Sequence, residues 1–217
     1  MARNIYLTSP LKKEGTIHLP MISFRIIKRE IDFGDCDTLM FTSKQAVASA
    51  DEIDPSWRGY PSIAIGGATA AEIEKRGGTV LHTPDDFYGE SLAEDVARLF
   101  RDRRVLYLRP KKISFDSRTY LASKGIDLRE DIIYETSCRR YERSDAPSPG
   151  SIVIFTSPST IHCFLDNFGW SDTYTAVVIG RATLEHLPPG SDYIVSDIPR
   201  IDACVDAAKK HSANNFD

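Results

Sequence analysis

The chain has 217 residues, of which 41% are hydrophobic and 27% charged, and its formal net charge is −4. This globular composition fits one large or two small domains, and the acidic balance argues against a general nucleic-acid binder. No segment approaches the ~20 apolar residues that span a bilayer, and MARNIYLTSP lacks the apolar run of a secretory signal, so we expect a cytoplasmic protein.

The first elements are short. IYLTSP (5–10) predicts a strand, whereas LKKEGTIHLP (11–20) is too short and too interrupted by glycine and proline for a full helix. ISFRIIKRE (22–30) is β-branched and basic and predicts a second, extended segment.

From residue 38 strands alternate with helices. The predicted strands are TLMFT (38–42), SIAIG (62–66), TVLHT (79–83) and RVLYL (104–108). The predicted helices are KQAVASADE, ATAAEIEKRG, SLAEDVARLFRD and DSRTYLASKG. This rhythm is typical of a parallel sheet covered by helices on both faces.

The C-terminal part follows the same plan after an extended segment, DIIYETSCRRYE (131–142). Its predicted strands are SIVIFT (151–156), TAVVIG (175–180) and DYIVS (192–196). Helical patterns follow each strand, the first with Pro158 early and Gly169 at its end.

Two words of the sequence occur twice at one offset. FTSK and FTSP begin at Phe41 and Phe155, and IGGAT and IGRAT contain Gly66 and Gly180, so both pairs lie 114 positions apart. This indicates an internal duplication. Because IYLTSP resembles LYLRP, the last parallel strand of the first copy, we expect the N-terminal strand to join the C-terminal copy.

The predicted fold class is α/β, with two similar small parallel-sheet (flavodoxin-like) domains joined by a two-stranded antiparallel β-ladder. The expected domains are a discontinuous one, 1–20 plus 145–217, and an inserted one, 34–130. The ladder comprises 21–33 and 131–144. A ladder of two strands is marginally stable alone, so we expect the domains to hinge.

The strand ends carry the candidate binding residues. Hydroxyl pairs follow three strands, at Thr8-Ser9, Thr42-Ser43 and Thr156-Ser157. Each pair would either cap a helix or hold an anion at the carboxyl edge of the sheet, where α/β proteins bind ligands. The Gly-x-Ala-Thr words, 66–69 and 180–183, are likewise either tight turns or ligand-approach sites.

Tyr134 lies in the extended IIYET word, where it would be near the space between the domains. Its neutral phenol suits proton donation to a leaving oxygen, although a tyrosine that only packs on the ladder is the simpler interpretation. Basic residues after strand ends suit either solvent or a polycarboxylate. They are Lys44, Arg109, Lys111, Lys112 and Arg118.

The sequence contains no motif for metal binding, nucleotide binding or nucleophilic catalysis. The five histidines show no HExxH or zinc spacing, and GxGxxG, GxxxxGK[ST] and GxSxG are absent from the sequence. The four cysteines, with no CxxC pair, are expected to be buried reduced thiols. They are Cys36, Cys138, Cys163 and Cys204.

The ordered words FTSK-QAV, IGGATA, LYLRP, IIYET, FTSPST and IGRAT resemble the uroporphyrinogen-III synthase family, from Ile5 to about Ala208. The resemblance implies two α/β domains, one discontinuous, and a cofactor- and metal-independent lyase of haem biosynthesis. Such enzymes close hydroxymethylbilane, a linear tetrapyrrole polycarboxylate, with loss of water and inversion of its last ring. The implied protein is a cytoplasmic monomer that takes substrate from the preceding pathway enzyme.

The resemblance also implies residue roles. The family's cleft tyrosine falls on Tyr134, which would assist departure of the hydroxyl group. Its substrate-binding positions, together with the basic residues chosen above, give the predicted binding set. That set is Ser43, Lys44, Thr69, Ser91, Arg109, Ser157, Ser159, Thr183 and Ser196.

Two departures from the family concern the flanks. Ser9 stands where the family has arginine in the word after its first strand, and IVSDIPRI lacks the usual threonine before the last helix. The competing function is a non-catalytic two-lobe module that binds a small polyanion. A nucleotide enzyme is a third alternative, disfavoured by the missing glycine fingerprint.

Overall fold

In a computed structural model, which describes residues 3–86 and 88–214, the chain forms two compact units. Unit 1 comprises Met1–Ser23 and Ser137–Asp217, and unit 2 comprises Phe24–Thr136. Within the described ranges, no helix is both long enough and apolar enough to cross a membrane.

The elements follow the predicted alternation. The strands are β1 (Ile5–Leu7), β2 (Ile17–His18), β3 (Ile22–Ile26), β4 (Thr38–Phe41), β5 (Pro61–Ala64), β6 (Thr79–His82), β7 (Val105–Pro110), β8 (Arg129–Cys138), β9 (Ile152–Phe155), β10 (Thr175–Val178) and β11 (Asp192–Val195). The helices are α1 (Lys44–Ile53), α2 (Gly67–Lys75), α3 (Gly89–Leu99), α4 (Ser117–Ser123), α5 (Pro158–Phe168), α6 (Arg181–Leu184) and α7 (Ile201–Asn214).

Unit 1 contains a parallel sheet with the strand order β11-β10-β9-β1-β2. β1 pairs with β9, with Ile5 opposite Ile152, so the N-terminal strand completes the sheet of the C-terminal copy. One face packs under α5, through Ile161 and Phe164, and the other under α7, through Cys204 and Ala208. The strand order reverses between β1 and β9, which puts a topological switch point there.

Unit 2 has the strand order β3-β8-β7-β4-β5-β6. The pairs from β8 through β6 are parallel. β3 runs antiparallel to β8, because Ile27 N donates to Ile133 O while Arg139 N donates to Met21 O. α1 and α2 pack on one face of the sheet, and α3 and α4 pack on the other. The switch point of this sheet lies between β4 and β7.

The predicted α/β class with two parallel-dominated sheets is confirmed. The sequence did not reveal that β8 also pairs in parallel with β7, which adds both crossing strands to the sheet of unit 2. It also did not reveal β2, in which Ile17 pairs with Tyr6 where the family has a helix after its first strand.

The expectation of four reduced thiols is wrong for two of them in this structure. Cys138 and Cys163 form a disulfide with a Cα–Cα distance of 5.2 Å, while Cys36 and Cys204 are buried free thiols. Backbone and side-chain bonds bring the end of β8 over α5, since Asn167 Nδ2 donates to Arg139 O at 2.9 Å. The two cysteines therefore meet through tertiary packing, which sequence spacing does not show.

Candidate functional site

The hydroxyl pair after β4 meets two tyrosines from neighbouring strands. Ser43 caps α1 by accepting a bond from Ala46 N (3.0 Å), and its Oγ lies 2.9 Å from Tyr134 Oη. Thr42 Oγ1 lies 2.7 Å from Tyr107 Oη. The capping interpretation of Ser43 is confirmed. Both pairs stand at the switch point of unit 2, where the ligand-site interpretation stays a prediction.

Tyr134 is only 4% exposed, and Phe24 packs edge-on against its ring. Burial raises the pKa of the Tyr134 phenol, and the bond from Ser43 partly opposes that shift. The phenol is therefore a neutral donor at pH 7. When Ser43 donates to the phenol oxygen, the phenol proton is free for another acceptor.

Tyr107 was not singled out from the sequence. Burial raises its pKa to about 12, against the opposing effect of the Thr42 bond. Its ring belongs to the core beneath α3 and α4, whereas Tyr134 belongs to the core beneath α1 and α2. The two phenols thus approach the Thr42-Ser43 turn from opposite faces, and only the alternation of residues along LYLRP hinted at this.

The duplicated Gly-x-Ala-Thr words form matching turns. Thr69 N donates to Gly66 O (3.0 Å), and Thr183 N donates to Gly180 O (3.1 Å). Both threonines are buried in the first turn of their helices. Gly180 has an extended φ of 176°, and a Cβ added there would meet nothing within 4 Å. Neither backbone geometry nor protein packing therefore requires glycine at this position. The open space beside Gly180 could admit a ligand.

The serines of unit 1 follow the parallel strands β9 and β11, which lie on either side of β10. Ser157 begins α5 in a capping box with Thr160, whose Oγ1 accepts a bond from Ser157 N (3.3 Å), and the Oγ of Ser157 is buried. Ser159 is exposed in the first turn of α5. Ser196, after β11, donates to Ile198 O at 2.7 Å.

The other predicted residues of unit 2 are exposed or paired with other side chains. Ser91, in the first turn of α3, donates to Asp86 Oδ2 (2.9 Å), and Lys44 is exposed at the start of α1. Arg109 is nearly buried against Glu130, with 3.2 Å between Nε and Oε2. In the described part of the chain, no three His, Cys, Asp or Glu side chains are grouped so as to hold a metal ion.

Comparison with known proteins shows which family the chain matches. The model of the family described as uroporphyrinogen-III synthase HemD matches residues 11–206. A crystal structure of uroporphyrinogen-III synthetase from Helicobacter pylori 26695 is 28% identical, with a TM-score of 0.78 over 96% of this chain and 99% of that one.

A second crystal structure extends the likeness in fold. It is a mutant uroporphyrinogen III synthase from the extremely thermophilic bacterium Thermus thermophilus, 13% identical, with a TM-score of 0.62 over 98% of this chain and 99% of that one. Among curated proteins, none matches the chain significantly.

Proposed function

Because the chain belongs to the uroporphyrinogen-III synthase family, we infer that it closes hydroxymethylbilane to uroporphyrinogen III, with loss of water and inversion of the last pyrrole ring. The match over residues 11–206 is the observation that carries this inference. The family belongs to haem biosynthesis. We assign the protein to the lyases, since the reaction eliminates water as the ring closes.

Tyr134 would act as the proton donor. Its neutral phenol gives a proton to the hydroxyl group of the substrate as the C–O bond breaks, so that water leaves and an azafulvenium cation and the phenolate remain. Ser43, 2.9 Å away, stabilises the phenolate by donating to it. The proton lost when the last ring regains aromaticity restores the phenol.

Inversion requires one particular closure. The substituted carbon of the last ring attacks the azafulvenium cation, and the resulting spiro intermediate fragments and closes again at the other carbon. Without an enzyme the bilane closes without inversion, so the protein must hold one folded conformer of the substrate. This is an orientation effect more than an acid–base effect.

Hydroxyl and backbone N–H groups at helix N-termini would bind the substrate carboxylates. An acidic protein can then bind a polyanion without a strongly basic surface. The proposed binding residues are Ser43, Lys44, Thr69, Ser91, Ser157, Ser159, Thr183 and Ser196. The position of Ser157 at the N-terminus of α5 supports its place in this set.

A coupled assay tests the function directly. Hydroxymethylbilane is generated in the presence of the protein, and the porphyrin isomers are separated after oxidation. The type III isomer should dominate with the protein and the type I isomer without it. Type I alone in both samples would contradict the assignment and favour a non-catalytic polyanion-binding module.

We also propose that the protein works as a cytoplasmic monomer and takes its substrate from the preceding pathway enzyme. The motive is that free substrate closes without inversion. Sedimentation of the pure protein tests the monomer. A type III yield that falls when the coupled enzymes are diluted together would support free diffusion of the substrate and contradict direct transfer.

A further inference from the structure

A bulge between β7 and β8 determines where Tyr134 points. The strands pair one to one from Leu106–Arg129 to Arg109–Ile132, and then Pro110 pairs with Tyr134, which leaves Ile133 as an extra residue. Side chains along a strand normally alternate between faces. Here Ile133 and Tyr134 are consecutive, yet both lie in the core beneath α1 and α2. The bulge thus turns Tyr134 toward Ser43.

Arg109 binds backbone carbonyl groups next to this bulge. Its Nη1 donates to Pro110 O (3.0 Å) and, more weakly, to Lys111 O (3.4 Å). Lys111 N in turn donates to Tyr134 O (2.8 Å). The guanidinium therefore holds the peptide segment that pairs with Tyr134.

Glu130 neutralises the charge of Arg109 inside the protein. The two side chains are only 13% and 9% exposed, and 3.2 Å separates Nε from Oε2. The pair is imperfectly satisfied, because Glu130 Oε1 has no hydrogen-bond partner among the described residues. Buried ion pairs with such defects contribute little net stability, so a role in fixing geometry accounts better for this one.

The pair lies on the face of the sheet opposite to Tyr134. Arg109 is two residues beyond Tyr107 on β7, and Glu130 pairs with Tyr107, so all three share the face covered by α3 and α4. Tyr134 lies on the opposite face.

We propose that Arg109, with Glu130 as its charge partner, is a positioning residue that fixes the bulge and thereby the orientation of Tyr134. This replaces the expectation that Arg109 binds a substrate carboxylate. The inference rests on the proposed function for its kinetic consequence, but its structural consequence, the setting of Tyr134, is independent of activity.

The test uses a neutral replacement, Arg109→Met with Glu130→Gln, so that no buried charge is left unpaired. We expect kcat to fall by about tenfold or more with KM within about twofold, and Tyr134→Phe to add little in this background. Arg104→Met is the matched control. Arg104 directly precedes β7, but its side chain is exposed and pairs with Asp37. This variant should leave both constants unchanged.

A second readout needs no substrate. Alkaline difference absorbance, with Tyr134→Phe subtracted from its parent, isolates the titration of Tyr134. In the wild type it should occur above pH 10, and in the double variant it should shift toward 10 as the phenol becomes exposed. A simple loss of a substrate ligand would not move it.

Two outcomes overturn the proposal: a KM increase of about tenfold with kcat intact, or an unchanged Tyr134 titration in the double variant. If the double variant does not fold, Arg109→Lys decides, because it keeps a cation beside Glu130 but loses the guanidinium bonds to the carbonyl groups. A positioning role predicts a lower kcat with KM within about twofold, whereas a substrate ligand predicts a higher KM with kcat intact. Should the wild type produce no type III isomer, the titration still tests the bulge separately from the function.

Discussion

Among individual side chains, Tyr134 matters most for the chemistry. Replacing it with phenylalanine removes the proton donor but keeps the ring that packs on Phe24. We expect kcat to fall by roughly 10- to 100-fold, at or below the lower end for general acid catalysis, because orientation of the substrate supplies most of the rate. Steady-state kinetics with isomer analysis measures the effect.

Tyr120→Phe serves as the control, because Tyr120 lies on α4 and is outside the proposed site. A Tyr134→Phe protein that is folded, with an unchanged melting temperature, but has no activity at all would show that the donor is indispensable. The emphasis on orientation would then be wrong.

Tyr107 gives a prediction about pH and stability. Burial raises its pKa in the folded protein to about 12, whereas an unfolded tyrosine titrates near 10. The folded state therefore retains a proton that the unfolded state loses. Its contribution to stability is complete below pH 10 and declines between pH 10 and 12, by about 1.4 kcal/mol per pH unit.

Urea unfolding at pH 8 and pH 11 measures this decline. The free energy of unfolding should fall by about 1 kcal/mol more in the wild type than in Tyr107→Phe over that interval. The lost bond to Thr42 lowers the stability of Tyr107→Phe equally at both pH values, so it does not affect this comparison. An equal decline in both proteins would show that Tyr107 titrates normally.

Among the contacts between helices and strands, the disulfide that joins β8 to α5 has the largest expected effect on stability. The Cys138–Cys163 disulfide closes a loop with a sequence separation of 25. Such a loop stabilises the fold by about 3 kcal/mol through the unfolded chain. We expect Cys138→Ser to lower the melting temperature of unit 1 by roughly 10 °C or more.

Reductant provides the control, since it should destabilise the wild type and leave Cys138→Ser unchanged. Thiol counting on the denatured, unreduced protein should find Cys36 and Cys204 only. Disulfides are rare in the cytosol, so four free thiols in protein taken from the cell would agree with the proposed location and contradict the bond there.

The turn that begins α6 tests ligand approach. Alanine at position 180 has an acceptable φ and no clash, so the melting temperature of Gly180→Ala should change by only a few degrees, as expected for about 0.5–1 kcal/mol at a cap. If the substrate contacts this backbone, KM should rise roughly tenfold. Gly59→Ala is the control, because a Cβ there is also unobstructed. Equal kinetics for both variants would remove Gly180 from the site.

Each of the two units has its own hydrophobic cores, so we expect the units to unfold in separate transitions. Unit 1 has one core beneath α5 and another beneath α7, and unit 2 has its own two cores on the faces of its sheet. Calorimetry should therefore give a van't Hoff enthalpy below the calorimetric enthalpy. Reductant should lower only the transition of unit 1. A single two-state transition would contradict this.

The success of the sequence analysis followed what each pattern determines. Short apolar runs such as TLMFT and SIVIFT, separated by helical patterns, determine an α/β class, whereas the duplication indicated by the words around Phe41 and Phe155 stays a prediction. Pairing partners are decided by tertiary packing. The sequence therefore could not predict the parallel pairing of β7 with β8, the bulge at Ile133 or the disulfide.

The candidate site shows the same division. Hydroxyls at strand ends were predictable, because Thr42-Ser43 stands between a strand and a helix. The contact between Ser43 and Tyr134 joins distant positions and depends on the bulge. The burial of Arg109 against Glu130 could not be deduced either, because an arginine after a strand end looks the same whether it faces a ligand or the interior.

The pairing of β1 with β9 has a consequence for how the protein is made. Ile5 is translated before all of unit 2, but its neighbour Ile152 is translated only after it. At about 5–20 residues per second, the nascent N-terminal strand waits roughly ten seconds or more for its partner. Unit 2 can therefore fold co-translationally, while unit 1 is assembled last, with an apolar strand open to chaperones or to misassociation in the meantime.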